Sequence, residues 1–284
     1  MKLLYCSDLH GNLDHYTRLV GVARDRRPDL IVLGGDMLPD DSALLPERLG
    51  HGQPEFVRRQ YRQWLLTLRD VCGGKLILFV FGNHDWGSSV PAVKELADDG
   101  LLTVLEPTHA VEVGGLSFVG YPCTPPTPWY VKDFERLDQR GDRLPLLGGA
   151  RWDPRFGKAG SHGSKVLFEL APTIADDLAA LKAPDGPWVF VAHAPPFESK
   201  LDRTHGGEPW GSRSIRGVIE KFQPVLSLHG HVHESPAVTG EFRETLGRTV
   251  AVNAGQTCRK LLYAVIEVDV SARKVTRIDH GQQA

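Results

Sequence analysis

Five short apolar runs in this chain each lead into residues that bind metals, and this pattern constrains the fold more than any other feature. Residues 3–6 lead to Asp8 and His10, and residues 30–33 lead to Asp36. Residues 76–81 lead to Asn83 and His84, residues 188–192 to His193, and residues 225–228 to His231 and His233. Apolar runs this short, separated by helical patterns, read as strands covered on both faces. In open α/β sheets ligands collect beyond the carboxyl ends of the strands. Five such ends, all carrying carboxylate, amide or imidazole, belong around one place. The donor mixture suits a pair of divalent ions rather than a thiolate zinc knuckle. Two adjacent divalent ions are a standard means of hydrolysing phosphate esters.

Taken singly, each residue has an ordinary explanation. A histidine after a strand is more often a hydrogen-bonded loop or core residue, and an aspartate after two glycines is most often a turn or cap residue. Five strand ends carrying ligand types together is an improbable accident. Asp8/His10 and His231/His233 are each spaced i, i+2, so both members can point to one side as the strand ends. Gly34 and Gly35 let the backbone turn sharply and bring the Asp36 carboxylate in close.

Between the runs, apolar spacing predicts helices over 13–27, 55–71, 91–98, 171–181 and 212–222, with Ser88 or Ser89 capping the third. Runs at 102–105, 111–113 and 116–119 lie close together, and Gly114-Gly115 marks a hairpin. A segment over 121–164 is rich in proline, glycine, aromatics and arginine. It reads as a lid or interaction loop, or as a surface excursion with its own packing cluster. The tail, at 249–252, 261–268 and 274–278, alternates like antiparallel sheet. With no linker composition in view, residues 1–284 read as a single domain carrying this insertion.

A net charge of −2 over 284 residues gives no global basic field for nucleic acid or an anionic membrane. The four cysteines are far apart and form no CxxC pair, so neither a zinc ribbon nor a redox motif is indicated, and Cys6 reads as core. The N-terminal apolar stretch is too short for a signal-peptide core. No apolar run approaches the ~20 residues that cross a bilayer. A cytoplasmic protein acting on a small phosphorylated substrate is the expectation, with no membrane partner and an open oligomeric state.

The residues also carry a resemblance. Asp8-Leu9-His10, Gly35-Asp36, Gly82-Asn83-His84-Asp85, a lone His193 after a strand and Gly230-His231-Val232-His233 are similar, in content and order, to the calcineurin-like metallophosphoesterase superfamily. The resemblance covers Asp8 to His233. It implies an α/β fold, a four-layer α/β/β/α sandwich of two mixed sheets flanked by helices, with a dinuclear centre between the sheet ends. It implies that Asp8, His10 and His233 bind one metal, that Asn83, His193 and His231 bind the other, and that Asp36 bridges them. A bridging hydroxide would attack phosphorus in line, with His84 facing the phosphate and protonating the leaving alkoxide. Asp85 reads as a helix-start cap. One departure is that Met37 and Leu38 stand where a second acid often follows, although Asp40 and Asp41 are near. Oxygen and imidazole ligands admit zinc, cobalt or nickel, and manganese or iron is favoured by resemblance.

For substrate contacts the sequence offers Arg203 or His205, in a loop that follows His193, and Ser212 at the start of a helix, where free N–H groups attract anions. Against these stand a loop surface charge and a plain helix cap. Asn12 reads as a cap. Two further function classes remain in view: a nuclease using the aromatic insertion on single strands, and a non-catalytic metal-binding interaction module.

Overall fold

The computed structural model describes residues 1–40 and 48–283, so Asp41 lies outside the described residues. The first half alternates strand and helix: β1 (Lys2–Cys6), α1 (Leu13–Arg26), β2 (Leu30–Leu33), α2 (Gly52–Phe56), α3 (Arg62–Val71), β3 (Ile77–Phe79), α4 (Val90–Asp98) and β4 (Thr103–Val104). Next come β5 (Val111–Val113), β6 (Leu116–Tyr121), β7 (Gly149–Asp153), β8 (Lys158–His162), α5 (Ser164–Phe168), α6 (Ile174–Ala179) and β9 (Trp188–Ala192). The chain closes with α7 (Arg213–Phe222), β10 (Leu226–His229), α8 (Ser235–Thr239), β11 (Arg243–Leu246), β12 (Thr249–Asn253), β13 (Leu261–Asp269) and β14 (Lys274–Gln283).

Twelve of these strands form two six-stranded mixed sheets, ordered β14-β13-β1-β2-β3-β4 and β11-β12-β10-β9-β6-β5. Four adjacent strands run parallel in each: β1-β2-β3-β4, flanked on one side by the antiparallel pair β13-β14, and β12-β10-β9-β6, with antiparallel β11 and β5 at the two edges. Strand alternation assigns each side chain to a layer. Leu3, Tyr5, Leu30 and Val32 point between the sheets and meet Val189, Val191, Leu228 and Val252. Their neighbours Leu4, Cys6, Ile31 and Leu33 face outward onto Tyr16, Leu19, Leu65 and Leu96 of the helices. On the second sheet, Phe190 and Ala251 face Ile174, Leu178, Ile215 and Ile219. Helix, sheet, sheet and helix thus stack as four layers. Each fully buried aliphatic side chain in them contributes about 1.5–3 kcal/mol.

Several local expectations change. The helix expected over 55–71 starts at Gly52 and passes through a π-helical turn, Val57–Tyr61, which keeps both Val57 and Tyr61 on the buried side. The helix expected over 171–181 is confined to Ile174–Ala179 because Thr173 and Asp176 form a reciprocal capping box. Ser89 occupies the cap position of α4 without capping it; its hydroxyl donates to Trp86 O instead. The tail is mixed, since β12 pairs parallel with β10 while β13 and β14 pair antiparallel. Segment 121–164 begins inside β6 and holds the separate hairpin β7–β8. Val131 and Ala150 pack there with Leu49 and Trp86. All four cysteines are free, and Cys6 is buried. Among the described residues no helix is long and apolar enough to cross a membrane.

Candidate metal centre

The loops that leave β1, β2 and β10 share an unusual backbone conformation. Asp8, His10, Asp36 and His231 all have positive φ, between 45° and 65°. This left-handed region disfavours residues with a Cβ, and such positions cost on the order of 1–3 kcal/mol each when held there by their surroundings. Here the surroundings are the neighbouring loops. Asp8 N donates to Gly35 O and His10 N to Asp36 O, both at 2.9 Å, so the β1 and β2 loops continue side by side beyond the sheet. Gly35 itself has φ +99°, and Gly82 lies so close to the Asp36 carboxylate that a Cβ would collide with it. The carboxylates then fasten the remaining loops. His231 N donates to Asp8 Oδ1 at 3.0 Å, and His84 N donates to Asp36 Oδ1 at 2.8 Å.

These contacts gather the side chains from both sheets. Donor atoms of Asp8, His10 and Asp36 all lie within 4.8 Å of one another. His193 Nε2 is 3.2 Å from Asp36 Oδ2 and 4.0 Å from Asp8 Oδ1. His231 Nδ1 and Asn83 Oδ1 are 2.8 Å apart, close enough to share one cation with bonds of about 2 Å. The His10 ring centroid is 6.0 Å from that of His233 and 5.0 Å from that of His84, and His193 is 5.6 Å from His231. All eight residues named from the five strand ends therefore meet in one place.

The chemistry of the cluster fits divalent cations. Asp8 Oδ2 is buried without a hydrogen-bond partner, a costly condition unless something polar or charged engages it. His193 Nδ1 lies 2.8 Å from Gly34 O and, read as its donor, leaves Nε2 with a lone pair turned toward the carboxylates. The cluster also calls for positive charge. Burial disfavours protonation of His193, yet Asp36 and Asp8 push its pKa up to about 9. Burial alone would raise the Asp36 pKa, but His193 and His84 hold it well below the usual carboxylate range. His10 and His231 are shifted down, chiefly by burial, and so present neutral imidazoles.

Around the cluster stand residues that the sequence did not single out. Gln53 is fully buried in α2. Its Nε2 donates to His84 O at 2.8 Å and to Pro39 O at 3.0 Å, and its Oε1 accepts from Trp86 N at 2.6 Å. Asn253 Nδ2 reaches the carbonyls of Leu201, Gly230 and Val232 and so holds the loop before His233. Asp40 Oδ2 sits 3.7 Å from His84 Nδ1. Burial works against protonation of His84, but Asp36 and Asp40 outweigh it and raise its pKa. No spacing or motif in the sequence marks Gln53 or Asn253, and Asp40 is visible there only as an acid near Asp36. Asp85 is not a helix cap. Its carboxylate accepts from Gly82 N at 2.8 Å and Leu38 N at 3.3 Å, tying together the turns that carry Asp36 and Asn83. Burial and the Asp36 charge push its pKa up to about 7.

The candidate substrate contacts separate. His205 lines a cleft of about 490 Å³ that opens beside His10, His84 and His233. Arg203 does not line it; its guanidinium donates to Gly207 O and lies 3.6 Å from Asp202 Oδ1. Ser212 is buried as the cap of α7, accepting from Ile215 N and donating to Asp138 Oδ1 at 2.6 Å. The same Asp138 carboxylate accepts from Arg213 N at 2.8 Å, so the anion at this helix start belongs to the protein itself. Asn12 caps α1 as expected, accepting from Asp14 N and His15 N.

Fold and site together define an α/β/β/α sandwich with a cluster of oxygen and imidazole groups at the sheet ends that could hold metal ions. The chain belongs to the calcineurin-like phosphoesterase family, whose model matches residues 1–235. It is 38% identical over 72 residues to UPF0046 protein K07C11.7 of Caenorhabditis elegans, a match that covers 25% of this chain and 22% of that protein. The matched stretch thus spans about a fifth of the relative's length. The crystal structure of TT1561 from Thermus thermophilus is similar over 99% of this chain and 97% of its own, at 18% identity and a TM-score of 0.58. A second crystal structure, 17% identical, covers 99% of this chain and 98% of its own with a TM-score of 0.62. These two likenesses are of fold. The family's chemistry is hydrolysis of phosphate esters with divalent metal ions.

Proposed function

We propose that this protein is a metal-dependent hydrolase of a small phosphorylated substrate, with a dinuclear centre held by Asp8, His10, His233, Asn83, His193, His231 and Asp36. The observation that carries this reading is the convergence of all seven side chains, from strand ends of both sheets, around buried donor atoms without partners. Asp8, His10 and His233 hold one cation, Asn83, His193 and His231 the other, and Asp36 lies between the two sets. A pair of divalent cations at this place supplies Lewis acidity toward the phosphoryl oxygens and a water of lowered pKa. The protein's own residues do the rest. Gly34 O fixes the His193 ring through Nδ1. The main chain of His84 is held by Asp36 Oδ1 and Gln53 Nε2, which sets its ring against His10 at the cleft wall. Asp36 and Asp40 raise the His84 pKa against the burial cost, and from the cleft wall its ring is placed to deliver a proton to the leaving oxygen. Segment 121–164 is proposed to act as a wall of the cleft through Trp129, whose ring centroid is 5.7 Å from that of His84.

The test is a panel of phosphate mono- and diesters assayed with added manganese, iron, zinc, cobalt and nickel. Turnover is expected to require a metal. His84→Ala should lower it by about 10²–10⁴-fold while bound metal, measured by elemental analysis, stays at the wild-type level. Asp36→Asn should lower bound metal itself. Undiminished turnover in His84→Ala rejects the proton-donor role. Failure to bind any transition ion, or to cleave any ester, rejects the hydrolase reading and returns the chain to the class of binding modules.

A further inference from the structure

The cleft beside the proposed centre is lined by two tryptophans and, among the described residues, by no lysine or arginine. Trp129 comes from segment 121–164 and Trp210 from the loop after β9, and both line the same 490 Å³ space with His205. Each indole is presented by a stiff frame. Lys132 and Glu135 are fully buried, and Lys132 Nζ donates to Glu135 Oε2 and Thr127 O, both at 2.8 Å. Thr127 N donates to the same carboxylate at 3.0 Å, and Trp129 N donates to Thr127 Oγ1 at 3.2 Å. On the other wall, Trp210 N donates to Asp202 O at 2.9 Å, and the Asp202 carboxylate gathers the N–H groups of Glu198, Ser199 and Gly211. Burying an ion pair is a costly way to hold a loop if only stability is at stake. It suits a loop whose side chain must stand in one place.

Charge narrows the ligand further. Among the described residues lining the cleft there is no lysine or arginine, while Asp40 and Glu234 add negative charge. Residues 41–47, which adjoin Asp40 in sequence, contain neither lysine nor arginine. Beyond its reacting phosphate, a ligand with further anionic groups finds the Asp40 and Glu234 carboxylates here and, among the described residues, no lysine or arginine to pair with. Its organic part must gain affinity from the ring faces.

We propose that Trp129 and Trp210 form a recognition subsite for a flat aromatic ring carried by a small phosphate ester. This inference rests on the hydrolase reading for the position of the phosphate. It adds the substrate class: an ester bearing an aryl ring or nucleobase, and not a polynucleotide.

Inhibition constants against manganese-supported cleavage of bis(p-nitrophenyl) phosphate test it with a charge-matched pair, diphenyl phosphate and dicyclohexyl phosphate. Diphenyl phosphate is expected to bind roughly tenfold more tightly, the size of one or two ring–indole stacks. Trp129→Ala and Trp210→Ala should each shrink that ratio, and Trp129→Phe should keep most of it. Thymidylyl-thymidine beside diphenyl phosphate separates the two sources of a flat ring: the tighter of the two names the source, and both keep the subsite. Equal constants for the charge-matched pair, or alanine variants with an unchanged ratio, overturn the proposal. So does tighter binding of a single-stranded oligothymidylate. If no ester is cleaved, the hydrolase reading falls, and the same pairs are compared by calorimetry on the manganese-loaded protein, which hydrolysis then cannot disturb. An indole-dependent ratio there preserves the subsite, and its absence removes it.

Discussion

Single side chains at this centre do work that is separable from binding a cation. Gln53 satisfies two carbonyls and one N–H, all buried or nearly so, and two of these groups flank the His84 side chain in sequence. Gln53→Leu strands those groups. The expected result is a stability loss of about 1–3 kcal/mol and a fall in kcat of roughly 10–100-fold as His84 loses its placement. KM and bound metal should stay near wild type, and unchanged kcat would sink the positioning role. His229, behind the centre, offers a pH signature. Its Nδ1 lies 2.9 Å from the carbonyls of both Ala192 and Ala194, and burial pushes its pKa down to about 4 from an ordinary 6.5. Between those values the unfolded chain holds more protons than the folded one, so stability rises with pH across that window. The contribution is complete above pH 6.5 and is lost as pH falls toward 4, with a size on the order of 3 kcal/mol. Urea midpoints of the metal-free protein at pH 4.5 and 7.5 should therefore differ, and His229→Asn should reduce the difference. An equal difference in the variant would assign the acid sensitivity to other groups.

At the scale of elements, the excursion over 121–164 is held by an ion pair as much as by apolar packing. Burial pushes the Glu135 pKa up to about 7 against the pull of Lys132, so the pair is costly to separate. Lys132→Met leaves a buried carboxylate alone and should cost about 3–5 kcal/mol. Hydrogen exchange should speed up in residues 124–136 before the two sheets open. Adding Glu135→Gln removes the stranded charge while keeping an acceptor for Thr127 N, so the double variant should recover part of the loss. Exchange that rises equally in the sheets would mean the pair supports the whole fold. The sequence reveals the strands covered on both faces: β2 and β9 are apolar at every position because both layers demand it, β1 is so after Lys2, and β10 shows through Leu226 and Leu228 despite Ser227 and His229. It does not reveal β11, whose Arg243, Glu244 and Thr245 lie at an edge with little burial. Nor does it mark the π-helical turn, which answers to the packing of Val57 and Tyr61 rather than to any local preference. At the centre, ligand types were legible because chemistry restricts them. The supports were not, since Gln53 and Asn253 act on groups 31 and 52 residues away through ordinary amides. Ser212 shows the reverse case: a helix start that looks ready for an anion is already satisfied by Asp138, 74 residues away.

For the whole molecule, the decisive fact is that the proposed ligands divide between the sheets. Asp8, Asp36 and Asn83 follow β1, β2 and β3 of one sheet, while His193, His231 and His233 follow β9 and β10 of the other. Main-chain contacts already cross that seam, as His231 N to Asp8 Oδ1 does, and the inter-sheet core lies just beneath it. Cations held by both sets would therefore join the two halves of the sandwich at their carboxyl ends, and binding to the folded state alone would raise its stability. At a free metal concentration one hundred times Kd the gain is ~2.7 kcal/mol per site, or about 5–10 °C in Tm for a domain somewhat smaller than this one. Chelator-treated protein should melt lower, manganese should restore the difference, and titration should give two ions per chain. Asp36→Asn should abolish most of the shift because it touches both sets, whereas Trp129→Ala should leave it intact. A Tm indifferent to metal in the wild-type protein would mean the seam is closed by the chain alone. The buried, unpartnered Asp8 Oδ2 at that seam argues that it is not.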